Sequence, residues 1–150
     1  MLLYRMSRYC YLSVSFLGPT LSLALRHLMR IYSGCDISPK AQISADLKLP
    51  HPLGVVIGDG VVVKDRVMIW QHVTLGSHGK VGENLAYPIV DSGARIYAKA
   101  SIIGDVNIGK DSIIGAHALV LNDVPSGMVA MGVPAKNHPL RRKNENCSEA

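Results

Sequence analysis

From Ile37 onward a large aliphatic residue returns at every sixth position, and this interval limits the possible folds more than any other property of the chain. Ile37, Ile43 and Leu49 are six apart; after an eight-residue step Ile57, Val63, Ile69 and Leu75 resume the interval; after a longer break Val90, Ile96, Ile102, Ile108, Ile114 and Val120 carry it on. Four residues after most of these comes a second small or aliphatic residue: Ala41, Leu47, Val61, Val67 and Val73, then Ala94, Ala100, Val106, Ser112, Ala118 and Val124. Glycine, asparagine and aspartate fall between them, in IGDG, GDVNIGKD and LNDV. A helix places apolar residues at intervals of three and four and an amphipathic strand at intervals of two, so a period of six fits neither. It fits a parallel β-helix, in which each hexad is one short strand plus a corner. The large residue then points into a prism, the smaller one sits near the corner, and three hexads close a coil that stacks at about 4.8 Å on the next. A β-sandwich with evenly spaced strands does not account for thirteen positions in phase.

Such a core is built from Val, Ile and Ala, which explains how a chain with one Phe and one Trp buries enough apolar area to fold. At 150 residues and 48% hydrophobic content the chain suits one globular domain and is not disordered as a whole. Cys10, Cys35 and Cys147 show no ligand or disulfide spacing, so no metal site is expected and a reducing, cytoplasmic compartment is the simpler setting. The net charge of +5 is concentrated at the ends, in Arg5, Arg8, Arg26 and Arg30 and in Arg141, Arg142 and Lys143. With balanced charge between and few aromatics, a nucleic-acid platform is not expected.

The predicted organisation is an N-terminal helical segment over 1–33, a β-helix over 34–136 with a loop at 76–89, and a polar tail over 137–150. Residues Tyr9 to Leu25 carry no charge, but Gly18 and Pro19 interrupt the run and leave halves too short to cross a bilayer. No small-residue cleavage site follows cleanly, so export is the lesser reading. After Pro19, Leu21, Leu25, Leu28 and Tyr32 recur at helical spacing, which predicts a short amphipathic helix packed on its neighbour. Its arginines leave open a second role, contact with an anionic membrane surface at the inner face.

The stretch from Asp36 to Lys136 resembles the hexapeptide-repeat acyltransferases with a left-handed β-helix, particularly the serine acetyltransferase branch. The matching motifs are DISPKAQI (36–43), LPHPLGVVIGDG (49–60), VTLGSHGKVG (73–82), IIGAHALVLNDVPSG (113–127) and VAMGVPAK (129–136). The fold class this implies is mainly β, a left-handed parallel β-helix with a short helical segment before it.

The repeat is chemically quiet, so its two breaks are where chemistry is expected. The first break holds His51 between Pro50 and Pro52, which restrict the backbone on both sides. Asp36 lies fifteen residues earlier, a little under one coil, so stacking lets its carboxylate approach the imidazole of His51. A carboxylate on one ring nitrogen fixes the tautomer and raises basicity, which is general-base equipment. The resemblance implies acetyl-CoA as donor, with His51 taking the proton of an acceptor hydroxyl and Asp36 orienting the ring. The second break, 76–89, is polar and glycine-rich, as functional loops often are. In the resembled family this loop reaches over a site between subunits of a homotrimer.

From the same resemblance, Gly76, Ala98, Ala116 and Lys136 are the positions expected to receive acetyl-CoA. Tyr87, in the loop, is expected to stack on or hydrogen-bond a sugar ring, and His72, just before Val73 in the repeat, either lines the acceptor cleft or packs at an interface. No Walker or Rossmann pattern competes with them. His78 and the cysteines receive no role. Outward aliphatics, taken to include Val55, Val56 and Met68, give a slender prism reason to associate.

For the acceptor, the sequence departs from the resembled branch. Pro50 stands where an aspartate normally precedes the histidine, and Ala86-Tyr87 where an Arg-His pair normally precedes the proline. A free amino acid needs counter-charges for its ammonium and carboxylate. The preferred reading is therefore O-acetylation of a sugar or polysaccharide precursor, with serine as the alternative acceptor. A third reading is a catalytically inactive trimeric scaffold, against which the presence of both Asp36 and His51 argues.

Overall fold

The computed structural model describes residues 1–13, 17–79 and 85–140. Three parallel sheets form the walls of a prism. The first face stacks β1 (Asp36–Ile37), β3 (Val56–Ile57), β6 (Thr74–Gly76), β9 (Ser101–Ile103) and β12 (Leu119–Val120) in that order. The second stacks β2 (Gln42–Ile43), β4 (Val62–Val63), β7 (Ile89–Val90) and β10 (Asn107–Ile108). The third stacks β5 (Met68–Ile69), β8 (Arg95–Ile96), β11 (Ile113–Ile114), β13 (Met128–Gly132) and β14 (Ala135–Pro139). All pairings are parallel except β13 with β14, which form a closing hairpin.

The hexad register is the register of the walls. Ile37, Ile57, Leu75, Ile102 and Val120 align coil on coil along the first face. Ile43, Val63, Val90 and Ile108 do so along the second, and Ile69, Ile96 and Ile114 along the third. From Ile57 to Ile114 these ladder residues are 0–2% exposed, and the second set, from Ala41 to Val124, is 0–6% exposed. The second set is small because the chain bends there: Ala41, Val61, Ala94, Ser112 and Ala118 each donate their N–H to the carbonyl three residues back. Val55 belongs to this set and is fully buried, which corrects its expected outward direction; Val56 is 38% exposed. The extra residues around His51 are absorbed before Val55, so Val55 takes the inward corner position that Val73, Ala100 and Ala118 hold in later coils.

The open lower edge of the first coil is closed by α1 (Leu2–Leu12) and α2 (Gly18–Ser33). Tyr4 is buried and its Oη donates to the Ala41 carbonyl at 2.8 Å. Arg5 and Arg8 donate to the carbonyls of Ala45 and Pro39, at 3.0 and 3.1 Å. Ser7 Oγ, fully buried, donates to the Ser22 carbonyl at 2.9 Å and locks the two helices together. An exposed strand edge invites further strand addition, and here side-chain donors from a helix occupy it. Tyr4→Phe removes one of these donors, and chemical denaturation is expected to show a loss of about 1 kcal/mol.

Two expectations for the N-terminal segment are revised. In α2 the buried positions are Gly18, Ser22 and Met29, while Leu21, Leu28 and Tyr32 are exposed, so the stripe read from the sequence faces outward. A membrane contact through the arginines is not supported, because Arg5, Arg8, Arg26 and Arg30 all bond the β-helix. Among the described residues no helix is long and apolar enough to cross a membrane. At the other end, 137–139 belong to β14 rather than to a tail, because they pair with Met128–Ala130. Residues 141–150 lie outside the described residues.

Candidate active site

One corner of the prism, between the third and first faces, gathers the chemistry. Each coil turns there with a residue at positive φ: Gly54 (+68), His72 (+56), Lys99 (+63) and His117 (+59). These turns are bonded upward, His72 N–H to the Leu53 carbonyl, Lys99 N–H to that of Gln71 and His117 N–H to that of Ala98, at 2.9–3.0 Å. Leu53, Gln71, Ala98 and Ala116 therefore form a column along the same corner. A Cβ at Gly54 would lie 2.2 Å from His72 Nδ1, so the glycine both allows the turn and lets the imidazole lie against the backbone.

His51 stands beside this column. With Pro52, Leu53, Gln71, His72 and Lys99 it lines a groove of about 690 Å³ whose outer wall is Tyr32 and Ser33 at the end of α2. The backbone at Pro52 is tied down, since its carbonyl accepts the Cys35 thiol at 2.6 Å. Burial pushes that thiol's pKa up, against smaller opposing hydrogen bonds, so Cys35 stays protonated as a donor. The Gln71 Oε1 is buried with no hydrogen-bond partner among the described residues, in a groove wall where an incoming N–H or O–H would satisfy it.

Asp36 departs from expectation. Its carboxylate is taken by α2: Arg26 Nε donates to Oδ1 and Arg30 Nη2 to Oδ2, each at 2.6 Å. Among the described residues no hydrogen bond joins Asp36 to His51. The physical reason is charge, since two guanidinium groups on one carboxylate make stronger bonds than a neutral imidazole does. Burial alone would raise the Asp36 carboxyl, but the hydrogen bonds and charges of Arg30 and Arg26 outweigh it and hold the group below the usual carboxylate range.

The remaining expected site residues divide by corner. His72 shares the groove with His51, and Ala98 and Ala116 continue its column. Gly76 and Tyr87 lie at the opposite end of the first face. The Gly76 carbonyl accepts the Gly104 N–H at 2.9 Å, and the Tyr87 ring lies so close over Gly58 and Gly60 that a Cβ there would come within 2.9 and 2.4 Å of it. Asp59 organises this second corner, accepting from Ser38 Oγ at 2.7 Å and pairing with Lys40 at 3.0 Å. Lys136 is exposed on β14 opposite Met131 and does not line the groove. Residues 80–84 of the loop lie outside the described residues. Within one chain, then, the loop ends and Tyr87 are not brought to His51. No group of three His, Cys, Asp or Glu side chains among the described residues is placed to hold a metal.

Sequence reasoning missed Lys99, Gln71, Tyr32 and the two arginines on Asp36. For Lys99 and Gln71 a signal existed: each lies at the outward turn of a hexad, directly above the His51 break by coil count. The arginine contacts had none, because they depend on how α2 docks.

No model of a known protein family matches the chain. It is 38% identical over 133 residues to a serine acetyltransferase of Buchnera aphidicola from Acyrthosiphon pisum, covering 89% of this chain and 47% of that protein. To the serine acetyltransferase of Mycobacterium tuberculosis it is 42% identical over 116 residues, 77% of this chain and 50% of the relative. A solved serine acetyltransferase in complex with cysteine superposes with a TM-score of 0.86 at 34% identity, over 95% of this chain and 54% of that one. The Brucella abortus serine acetyltransferase in complex with coenzyme A gives 0.84 at 32%, over 91% and 53%. The chain thus spans about half the length of the relatives it matches. These likenesses make the fold the left-handed form, implied by the family resemblance, of the parallel β-helix expected from the repeat, and they do not support the polysaccharide-acetylating type. With the hexad walls, the corner column and these relatives taken together, the chain belongs to the hexapeptide-repeat acyltransferase superfamily.

Proposed function

We propose that the chain is an acetyl-CoA-dependent O-acetyltransferase whose acceptor is serine or a close analogue, with His51 as general base. The observation that carries this reading is the position of His51: at the break in the coil, in a groove walled by the corner column, within a fold shared with serine acetyltransferases at TM-scores of 0.84–0.86. In the reaction an imidazole nitrogen of His51 takes the hydroxyl proton of the acceptor as its oxygen attacks the thioester carbonyl. The C–S bond then breaks, the proton passes from the imidazolium to the departing thiolate, and the products are an ester and free thiol. The donor arm runs along the column at Ala98 and Ala116, where Lys99 offers a cation and Gln71 an unpaired amide oxygen.

The homotrimer is part of the same proposal. Because Tyr87 and the ends of the 76–89 loop sit at the corner opposite His51, a neighbouring copy is what would bring such a loop over the groove. The setting proposed is cytoplasmic, as the unpaired cysteine pattern suggests.

One observation favours a second acceptor class. Among the described residues the groove lining holds no carboxylate for an ammonium group, so a neutral sugar hydroxyl meets no penalty there. Thiol release from acetyl-CoA with L-serine and with a panel of hexoses and aminosugars separates the two. We expect kcat/KM for serine at least about tenfold above any sugar, roughly 1.4 kcal/mol of discrimination. A sugar that exceeds serine transfers the assignment to the second class. No turnover with any acceptor, together with no thermal protection by acetyl-CoA, overturns the enzyme reading in favour of a scaffold.

A further inference from the structure

The site's carboxylate is not free to serve His51 alone, and its partners lie outside the β-helix. Residues 34–36 run along 52–55: Gly54 N–H donates to the Gly34 carbonyl at 3.0 Å, Cys35 Sγ to the Pro52 carbonyl at 2.6 Å, and Asp36 N–H to the Val55 carbonyl at 2.8 Å. Asp36 is therefore fixed on the strand next to the segment that presents His51. On its outer side stand Arg26 and Arg30, one turn apart on α2, and the same helix ends in Tyr32 and Ser33, which wall the His51 groove.

We propose that Arg26 and Arg30 are positioning residues that hold Asp36 in place and set how readily His51 accepts a proton. The inference rests on the reading of His51 as the base. A carboxylate offers about four acceptor positions and the arginines use two, so Asp36 can still receive the imidazole N–H when a substrate orders the groove. Two guanidinium charges against one carboxylate leave this cluster net positive, which opposes a further positive charge on the neighbouring imidazole. The other charged or titratable groups facing His51 are Tyr32 from α2, His72 from the next coil and Lys99 from the one above. Lys99 adds positive charge and acts in the same direction.

The sign is testable from both sides. In Arg26→Gln/Arg30→Gln the acid limb of kcat/KM and the His51 imidazole pKa should both rise, by about half a unit or more for the charges removed. In Asp36→Asn, which leaves the arginines unopposed, both should fall. Arg30→Gln alone should give part of the rise, and Arg30→Lys should restore the wild-type profile. The His51 pKa is read by NMR titration of the full chain, with the resonance assigned by its loss in His51→Gln, so the measurement does not require turnover. Opposite shifts in the two variants support the clamp. No shift in either, with circular dichroism unchanged, reduces the arginines to anchors of α2 and overturns it. If the shifts occur but wild type transfers acetyl to no acceptor, the clamp stands and the proposed reaction fails.

Discussion

His51→Ala should lower kcat/KM for acetyl transfer by about 10²–10⁴-fold, the range over which a positioned general base contributes. The same substitution should leave the fold untouched. His51 is exposed and makes no hydrogen bond among the described residues, so its removal creates no cavity and orphans no buried partner. Exposed changes of this type alter stability by at most about 0.5 kcal/mol. The pairing of a large kinetic loss with an unchanged melting curve and unchanged protection by acetyl-CoA is what a base predicts. His72→Ala is the control, because His72 shares the groove but its place over Gly54 is a packing role as well. A loss at His51 no larger than that at His72 would remove the case for a base at this position.

The sequence and the structure agree where one physical requirement repeats, and they diverge where a contact occurs once. Ile57, Ile69, Leu75, Ile96, Ile102, Ile108 and Ile114 each meet the same inward environment, so an interval of six was readable without knowing any neighbour. Val55 was misread because the two residues added around His51 move the corner: its distance from Ile57 is normal for an inward position, but it follows no hexad residue at the usual step. Helix α1 lies within the 1–33 segment expected to be helical, but its own bounds were not legible, for a related reason. Its inward face consists of Tyr4, Ser7 and Arg8, chosen for hydrogen bonds to the first coil rather than for apolar burial, so no hydrophobic stripe marks it. In α2 the outward leucines gave a stripe with the opposite sense, and the small residues Gly18 and Ser22 that let the helices approach carried no signal. The site follows the same division. His51 stood out as a break in the period, while Ala98 and Ala116 came only from the family resemblance; these three and His72 share one corner of the prism. The partner of Asp36 was not legible, because fifteen residues of separation along the coil say nothing about a helix that docks from outside.

The prism itself should be most sensitive at its middle coil. Ile96 is fully buried and stacked between Ile69 below and Ile114 above on the third face, with Ala94 and Ala100 at the adjacent corners. Those alanines cannot expand into a void, and the backbone of each coil is bonded to the coils on either side, so collapse around a deleted side chain is restricted in every direction. Ile96→Ala should therefore cost about 3–4 kcal/mol, within the 2–5 kcal/mol seen for large-to-small core changes and above their lower end. For a chain of this length that corresponds to a fall of roughly 10 °C in Tm. Val56→Ala removes apolar volume from an outward position of the first face, and should cost less than about 0.5 kcal/mol by the same measurement. The contrast tests the architecture and not only hydrophobicity, because the substitutions differ chiefly in which side of a wall they occupy. In a stack where each coil touches only its neighbours, loss at Ile96 also removes cohesion between the lower coils that carry His51 and the upper coils that carry Ala116. Denaturation of Ile96→Ala should therefore broaden, with a lower m-value, as the two halves uncouple. Equal losses at Ile96 and Val56 would mean that the inward and outward positions are not the ones described here.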